Sequence, residues 1–435
     1  MTLVPSFVDL LQPLAAVMTA PTFDNLLTML TGWVFAPRRT VTGMIVAAQA
    51  VGHRHHATFH RLFAHAAWSL DELGLAVFTL IEPFLDGTVM LGIDDTLARK
   101  RGLKVFGVGM HHDPMLSTRK TTITNWGHSW VVLAVIVKLP FCCRRYFALP
   151  ILMRLYLNKT SAAKHRRVYR TRPELAVQML DVLCSAYENR HFHAVADSLY
   201  GGQSVLNELP ANCDLTSRLL LDARLYDAPP VRRPGTHGRP RRRGRRLPTP
   251  RQMLAGDARR VELDLYGRSD RVRLIDAEAR VHSAPDRPLR VVAVEPLTGG
   301  RTHQAFYSTV HAAAAEQVVT WYAMRWSIEV TFHDAKQHLG FEQPQGWSRR
   351  AVERTAPMAM LLYSLIVLWF AQAGHRGYQP PWRPWYPHKA HASFADMLAT
   401  LRRCSVRQQV LSTGLSGRGS RNILKTLCHA VQLAA

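Results

Sequence analysis

The sequence predicts an α/β protein in which helical regions flank a strand-rich core. Residues 1–87 show helical periodicity, and residues 88–223 contain short apolar runs that are typical of buried strands. Residues 224–315 alternate between apolar and polar side chains, as expected of a mainly β insertion. Helical patterns return at 316–375, and a connector with a helical tail occupies 376–435. A chain of 435 residues is long enough for two or three domains.

The chain is strongly basic. It has 55 Lys and Arg against 31 Asp and Glu, a net charge of +24. This charge favours a polyanionic partner, either nucleic acid or an anionic membrane surface. Its longest apolar segment, 356–371, is shorter than a typical membrane span, so we interpret it as a buried helix and expect no membrane partner. Six cysteines without zinc-like spacing, and no basic segment before the apolar N-terminus, favour a cytoplasmic protein with reduced thiols.

The core is predicted to alternate strands with helices. Strands are expected at 89–96, 129–137, about 146–152, 193–197 and 215–221, with a helix at 173–187. Shorter alternating segments at 260–265, 271–275 and 289–294 predict the small β region. In the N-terminal region the pattern predicts helices at 23–35, 41–51 and 57–73. The histidines and arginines clustered at 53–65 favour a DNA-facing or solvated surface over a metal site.

A basic segment interrupts the second half of the chain. Residues 229–251 hold nine arginines and no acid, and their prolines and glycines prevent a helix, which predicts a flexible cationic loop. Contact with a DNA backbone, made without regard to base sequence, is favoured over a nuclear-type basic tract or a merely solvated loop. The candidate DNA-binding residues in this loop are Arg241, Arg242, Arg243, Arg245 and Arg246.

Four polar residues share one predicted helix face near residue 329. At 100° per residue, Tyr322, Arg325 and Lys336 all fall within about 40° of Glu329. A carboxylate between two cations and a phenol suits a metal ligand flanked by phosphate-binding groups. A solvated face with i,i+4 ion pairs is the alternative explanation, and it is the commoner one for such a helix taken alone.

Two acids upstream favour the metal-binding explanation. Asp95 is predicted to end the first strand and Asp197 a later strand, and both could approach Glu329 on a flanking helix. Three carboxylates at one locus suit Mg²⁺ or Mn²⁺. Two such ions support in-line phosphoryl transfer, with Asp95 bridging them and Asp197 and Glu329 each holding one. Asp94 is an alternative to Asp95, but the position directly before Thr96 favours Asp95.

These motifs resemble the DDE-type transposases of bacterial insertion sequences, in the group marked by the Tyr-x2-Arg-x3-Glu-x6-Lys signature. Tyr322, Arg325, Glu329 and Lys336 match all four signature positions, and the segments around Asp95 and Asp197 are similar to the first two acidic motifs. The resemblance covers roughly residues 89–372. It implies an RNase H-like core, with metal-dependent cleavage at element ends followed by attack of the 3′-hydroxyl on target DNA. It also implies that Arg325 and Lys336 contact phosphates and that Tyr322 hydrogen-bonds one.

The resemblance carries further expectations. Residues 1–87 would read the DNA ends, and a homodimer on double-stranded DNA would pair them at the bacterial nucleoid. In some relatives a Trp in the insertion stacks on a flipped base during hairpin formation. This chain has no Trp between Asp197 and Thr320, so Trp321 and Tyr307 are the possible substitutes.

Other functions remain open. A nuclease with the same core would need the same carboxylates without joining strands, and an inactive descendant would bind DNA only. A basic RNA-associated protein would explain the charge but not the acids, which weaken nucleic-acid binding unless a metal neutralises them.

Overall fold

One eleven-stranded mixed sheet runs through the centre of the protein, with helices packed against it. The computed structural model describes residues 1–113, 116–118, 120–231, 241–282, 284–297, 302–378, 380, 384 and 389–412. The helices are α1 Pro5–Leu11, α2 Ala20–Phe35, α3 Val41–Ala47, α4 His56–Ala64, α5 Leu70–Ile81, α6 Lys159–Lys164, α7 Arg172–Ala186, α8 Gln203–Glu208, α9 Pro250–Met253, α10 Ala315–Met324, α11 Trp326–Leu339, α12 Arg349–Gln372 and α13 Phe394–Ser412.

Five strands form the part of the sheet that carries the acids. In spatial order they are β4 Cys142–Tyr156, β3 Thr124–Leu139, β1 Val89–Arg99, β5 Phe192–Ala196 and β6 Cys213–Leu219, with the short β2 Gly109–His112 also paired to β3. β3 is antiparallel to β1, whereas β5 and β6 run parallel to β1. This arrangement is consistent with the predicted RNase H-like core.

The predicted helix between the third and fourth core strands is confirmed as α7. Thr171 and Glu174 form a capping box at its start, and Pro173 occupies its first turn. This local sequence fixes the helix entry, because the cap satisfies backbone N–H groups that have no partner within the helix. α7 connects β4 to β5 and packs on β3 and β4.

The insertion continues the core sheet. β11 Gln304–Ser308 pairs directly with β6, and the sheet then extends through the strands of the insertion, which are β10 Ala284–Pro296, β9 Arg268–Val281, β8 Arg259–Leu265 and β7 Leu225–Tyr226. These strands are longer than the predicted alternating segments. The sequence pattern underestimates their length because arginines and acids occupy exposed positions and obscure the apolar alternation.

The prediction of one helix over 57–73 is wrong. α4 ends at Ala64 and α5 begins at Leu70. The side chain of Ser69 accepts a hydrogen bond from the backbone of Glu72, and the first turn of α5 contains acidic residues, which stabilises a new helix start there. The Trp68 indole N–H donates a hydrogen bond to the Leu62 carbonyl, which holds the segment between α4 and α5 in place.

The predicted buried helix at 356–371 is confirmed as part of α12. This helix is long and apolar enough to cross a membrane by length and composition, yet 94% of its most apolar window is buried inside the protein. α12 packs against β4, α1, α4, α5, α11 and α13. The N-terminal helices, the acid-bearing strands and the last described helix therefore share one hydrophobic core.

Gly74→Ala is expected to lower the free energy of unfolding by about 1–3 kcal/mol. A Cβ at Gly74 would lie 2.1 Å from the carbonyl oxygen of Ile151, so α5 would have to move away from β4. Urea titration of both proteins measures the difference. Gly377→Ala is the matched control, because a Cβ there meets nothing within 4 Å; equal losses in the two variants would contradict the packing explanation.

Candidate metal and DNA site

The acids predicted from the sequence come from neighbouring elements. Asp94 and Asp95 lie within β1, Asp197 directly follows β5, and Glu329 lies in the first turn of α11. The prediction that Asp95 ends the first strand is wrong, because β1 continues to Arg99 while paired with β3. β5 is parallel to β1, and Ala196 pairs with Ile93. This register places Asp197 beside the acid pair of β1.

Arg325 connects two of these acids. It donates a hydrogen bond from Nη1 to Oδ2 of Asp94, and another from Nη2 to Oε1 of Glu329 at 2.7 Å. The side chains of Asp94 and Arg325 are 14% and 13% exposed, so this ion pair is shielded from water. β1 and α11 are thus joined at the acids by a single guanidinium.

Asp95 has different partners. Successive side chains on a strand point to opposite faces, so Asp95 projects away from the Asp94 side of β1. Its Oδ1 accepts from the hydroxyl of Tyr200 at 3.0 Å, and its Oδ2 lies 3.2 Å from Nε of Arg172. Sequence reasoning missed Arg172, whose only local signal is its position at the start of α7. The choice of Asp95 over Asp94 as a metal ligand stays a prediction.

Burial and nearby carboxylates disfavour ionisation of Asp94 and Asp95, the two acids of β1. Burial raises the pKa of Asp94 to about 7, the Asp197 and Asp95 carboxylates add to the rise, and Arg325 opposes it. Burial also raises the pKa of Asp95, while Arg172 and Tyr200 oppose the rise and Asp197 adds to it. Asp197 therefore lies within electrostatic reach of both acids of β1, and an added cation would favour their ionised forms.

The donor chemistry fits a hard divalent cation, because such ions prefer carboxylate oxygens. Within the described residues, however, no group of three Asp, Glu, His or Cys side chains is positioned to hold a metal ion. The guanidinium of Arg325 lies between Asp94 and Glu329, where such an ion would need their oxygens. The carboxylates therefore have suitable donor chemistry, but in the described residues they are not grouped around one metal position.

The predicted single helix carrying Tyr322, Arg325, Glu329 and Lys336 is wrong in one respect. α10 ends at Met324, α11 begins at Trp326, and Arg325 forms the junction with helical dihedral angles. Tyr322 is 8% exposed and packs on the ring of Phe306. The Arg325 guanidinium lies 5.6 Å from the centre of the Tyr322 ring. The phenol is therefore beside Arg325 and mostly covered.

Lys336 lies apart from Glu329. Seven residues of helix separate them by about 10 Å. Burial lowers the pKa of Lys336, Glu342 and Asp113 act to raise it, and Arg99 also lowers it. The amine thus belongs to a charged cluster at the end of α11, beside the Glu342 carboxylate.

Part of the predicted arginine loop is fixed to the sheet. Asp227, directly after β7, exchanges backbone hydrogen bonds with the arginine segment, through the carbonyl of Arg245 at 2.9 Å and the amide of Gly244 at 3.2 Å. The guanidinium of Arg243 lies 5.4 Å from the ring of Tyr226. Residues 232–240 of the predicted loop lie outside the described residues. The described part has less freedom than the sequence predicts.

A cavity of about 400 Å³ opens beside Tyr322. It lies between the β8–β9 turn and the α10–α11 junction, and Tyr266 and Trp326 line it with ring centroids 6.3 Å apart. The two proposed substitutes for a base-stacking Trp are placed differently. Tyr307 is 1% exposed, and Trp321 packs against buried His193 with ring centroids 4.3 Å apart. Sequence reasoning missed Tyr266, since a tyrosine beside a turn glycine carries no distinctive signal.

Comparison with known proteins identifies the family. The profile of the DDE superfamily endonuclease family matches residues 13–273, more than half of the chain. The chain belongs to the DDE superfamily endonucleases. Membership makes this DDE endonuclease a metal-dependent, transposase-like nuclease that acts on DNA. No curated protein matches the chain.

The matched region contains the acids of the first two motifs but ends before the signature segment. Asp94, Asp95 and Asp197 lie inside residues 13–273, whereas Glu329 lies outside them. The assignment of Glu329 as the third acid of this DDE endonuclease therefore depends on its position on α11 and on its bond to the Arg325 that also holds Asp94.

Proposed function

We propose that this DDE endonuclease is a DNA transposase of the Tyr-x2-Arg-x3-Glu-x6-Lys group, which cuts at insertion-sequence ends and joins the 3′-hydroxyl ends to target DNA. The observation that carries the proposal is the convergence of β1, β5 and α11 at the acids, with Arg325 connecting Asp94 to Glu329. A solvated helix face would not place Arg325 in a 13%-exposed contact with an acid of another element.

The chain's own residues would divide the reaction between them. Asp95, Asp197 and Glu329 would hold Mg²⁺, with Mn²⁺ as a substitute, and Asp94 is the alternative first ligand. The ions would supply an activated nucleophilic oxygen and stabilisation of the leaving oxygen. Arg172 and Tyr200 orient the Asp95 carboxylate through both of its oxygens. Arg325 and Lys336 would bind phosphates. Tyr322, which the sequence resemblance assigns to a phosphate hydrogen bond, is only 8% exposed and would instead position Arg325 for its contact.

The surrounding surface would hold the DNA. We assign end recognition to the N-terminal helices, where exposed histidines and arginines at 53–61 surround the start of α4. Two copies of the chain would bring two element ends together in a dimer at the nucleoid. The cavity beside Tyr322 offers Tyr266 and Trp326 as aromatic surfaces, so a stacked, unpaired base would fit there rather than on Trp321 or Tyr307.

A strand-joining assay tests the proposal. Labelled duplexes that represent pre-cut ends of the element flanking this gene, with free 3′-hydroxyls, are incubated with a supercoiled target plasmid and Mg²⁺. A transposase joins the label covalently to the plasmid. Cleavage of intact ends without any joining would favour the hydrolytic nuclease, and DNA binding with neither reaction would favour an inactive DNA-binding protein.

The arginine segment is expected to contact DNA away from the cut. β7 lies six strand spacings from β1, roughly 29 Å at ~4.8 Å per strand. This distance corresponds to about 8 base pairs at ~3.4 Å each. Replacing Arg241, Arg245 and Arg246 by Gln should therefore weaken binding only to duplexes with arms longer than this, and should reduce the salt dependence of log K by about 2.7.

Measurement of DNA affinity against salt concentration, with arms of increasing length, checks this expectation. The control variant replaces three other exposed arginines, Arg144, Arg167 and Arg260, and so changes the net charge equally. An equal decrease in both variants would show that total charge, and not the arginine segment, determines the affinity.

A further inference from the structure

Arg325 is hydrogen-bonded to Glu329, which the proposed function assigns to metal, and to Asp94, which lies directly before the proposed ligand Asp95. Its two terminal nitrogens are bonded to Asp94 on β1 and Glu329 on α11. Each bond uses a carboxylate oxygen that a metal ion would otherwise bind or approach. Because a guanidinium stays protonated at any physiological pH, it cannot release these carboxylates by losing a proton. An anion that offers the guanidinium a better set of hydrogen bonds can draw it away.

The bonding of Arg325 is incomplete. Its Nε is buried and has no hydrogen-bond partner among the described residues. A guanidinium has five N–H donors in a planar fork that matches the oxygens of a phosphate group. A phosphate oxygen could therefore satisfy Nε together with a terminal nitrogen, which the present contacts with two separate carboxylates do not achieve.

We infer that the two hydrogen bonds from Arg325 to Asp94 and Glu329 form a latch that couples metal binding to DNA binding. Without DNA, the Arg325 latch neutralises the acids and opposes entry of divalent cations. A phosphate of bound DNA draws the guanidinium away, which frees Glu329 to bind metal and removes the positive charge from beside Asp94. The inference rests on the proposed function, and it adds that the nuclease centre is assembled only when a DNA strand is in place.

Coupling of this kind is reciprocal. If DNA raises the affinity for metal by a given factor, metal must raise the affinity for DNA by the same factor, and typical couplings are about 5–150-fold. Phosphates attract cations to any protein, so part of the factor would be present without a latch. The contribution of the latch to the coupling factor is the portion that is lost when Arg325 is replaced.

Mn²⁺ affinity of the full chain, measured by electron paramagnetic resonance with and without a duplex of arbitrary sequence, tests the latch independently of cleavage. Arg325→Gln should bind Mn²⁺ about 10-fold or more tightly than the wild type when DNA is absent, and should gain less affinity when DNA is added. Arg260→Gln, an exposed change on β8 with the same loss of charge, should behave as the wild type does.

Arg325→Lys covers the case in which the Gln variant does not fold, as judged by its thermal unfolding. An ammonium is a single point charge and lacks the planar fork, so its DNA-free Mn²⁺ affinity should lie above that of the wild type. DNA-free affinities equal to or weaker than the wild type in folded variants would overturn the latch alone. If the wild type bound no Mn²⁺ even with DNA, the proposed function would fall as well.

Discussion

Glu329→Gln is expected to reduce metal-dependent DNA cleavage by about 10³-fold, equivalent to ~4 kcal/mol of transition-state stabilisation. The amide keeps the size of the side chain and can still accept a hydrogen bond from Arg325, so the α10–α11 junction should be preserved. It lacks the negative charge that a metal ligand supplies to a divalent cation. The expected loss therefore arises at the metal and not from the fold.

The chain offers a close control for this experiment. Glu353 forms an ion pair with Arg349 at the same four-residue spacing as Glu329 and Arg325, and it lies on α12. Cleavage of a plasmid carrying the flanking DNA is measured with Mg²⁺, with Mn²⁺ and with a chelator. Glu353→Gln should cleave as the wild type does. If Glu329→Gln also cleaved as the wild type does, Glu329 would not be a catalytic metal ligand.

Asp95→Asn is expected to reduce cleavage about 10³-fold, as Glu329→Gln does. Asp94→Asn should reduce cleavage less. Both oxygens of Asp95 are oriented by Tyr200 and Arg172, as suits a ligand held in one position. Asp94 instead anchors Arg325 and accepts a hydrogen bond from the backbone N–H of Asp95 at 2.9 Å. Its substitution should loosen Arg325 without removing a ligand.

The two variants are compared in the same cleavage assay and by Mn²⁺ binding. If Asp94 is the anchor of Arg325, Asp94→Asn raises the DNA-free Mn²⁺ affinity and Asp95→Asn lowers it. The opposite pair of results would assign the metal ligand to Asp94. That assignment would agree with the positions of Asp94 and Glu329, which lie on the same side of β1 and are both bonded to Arg325.

The sequence predicts the elements that local patterns determine. The α7 cap, the apolar run of β3 and the acid after β5 can each be recognised within a few residues. The ion pair between Arg172 and Asp95 could not be recognised from local sequence, because 77 residues separate the two and only the fold brings the start of α7 to β1. The same holds for Arg325, whose contact with Asp94 spans 231 residues.

Helix periodicity alone does not reveal the surroundings of Lys336. A uniform 100° rotation puts Lys336 on the same face as Glu329, and the rise per residue puts it about 10 Å away, but neither identifies the other charges nearby. In the structure Glu342, beyond the end of α11, is the acid that favours the charged form of Lys336 most strongly. The break at Arg325 escapes the pattern because its backbone remains helical.

The burial of α12 bears on how this protein could be recombined with its relatives. One helix supplies apolar surface to α1, α4, α5, β4, α11 and α13 at once. A chimaera that exchanged only the N-terminal helices would set foreign side chains against a face of α12 selected for others, with overpacking or cavities as the result. If the N-terminal helices read the DNA ends, as we propose, end specificity should be exchanged by changing exposed residues on these helices. Transplanting the whole N-terminal region should require the facing positions of α12 to be exchanged together with it.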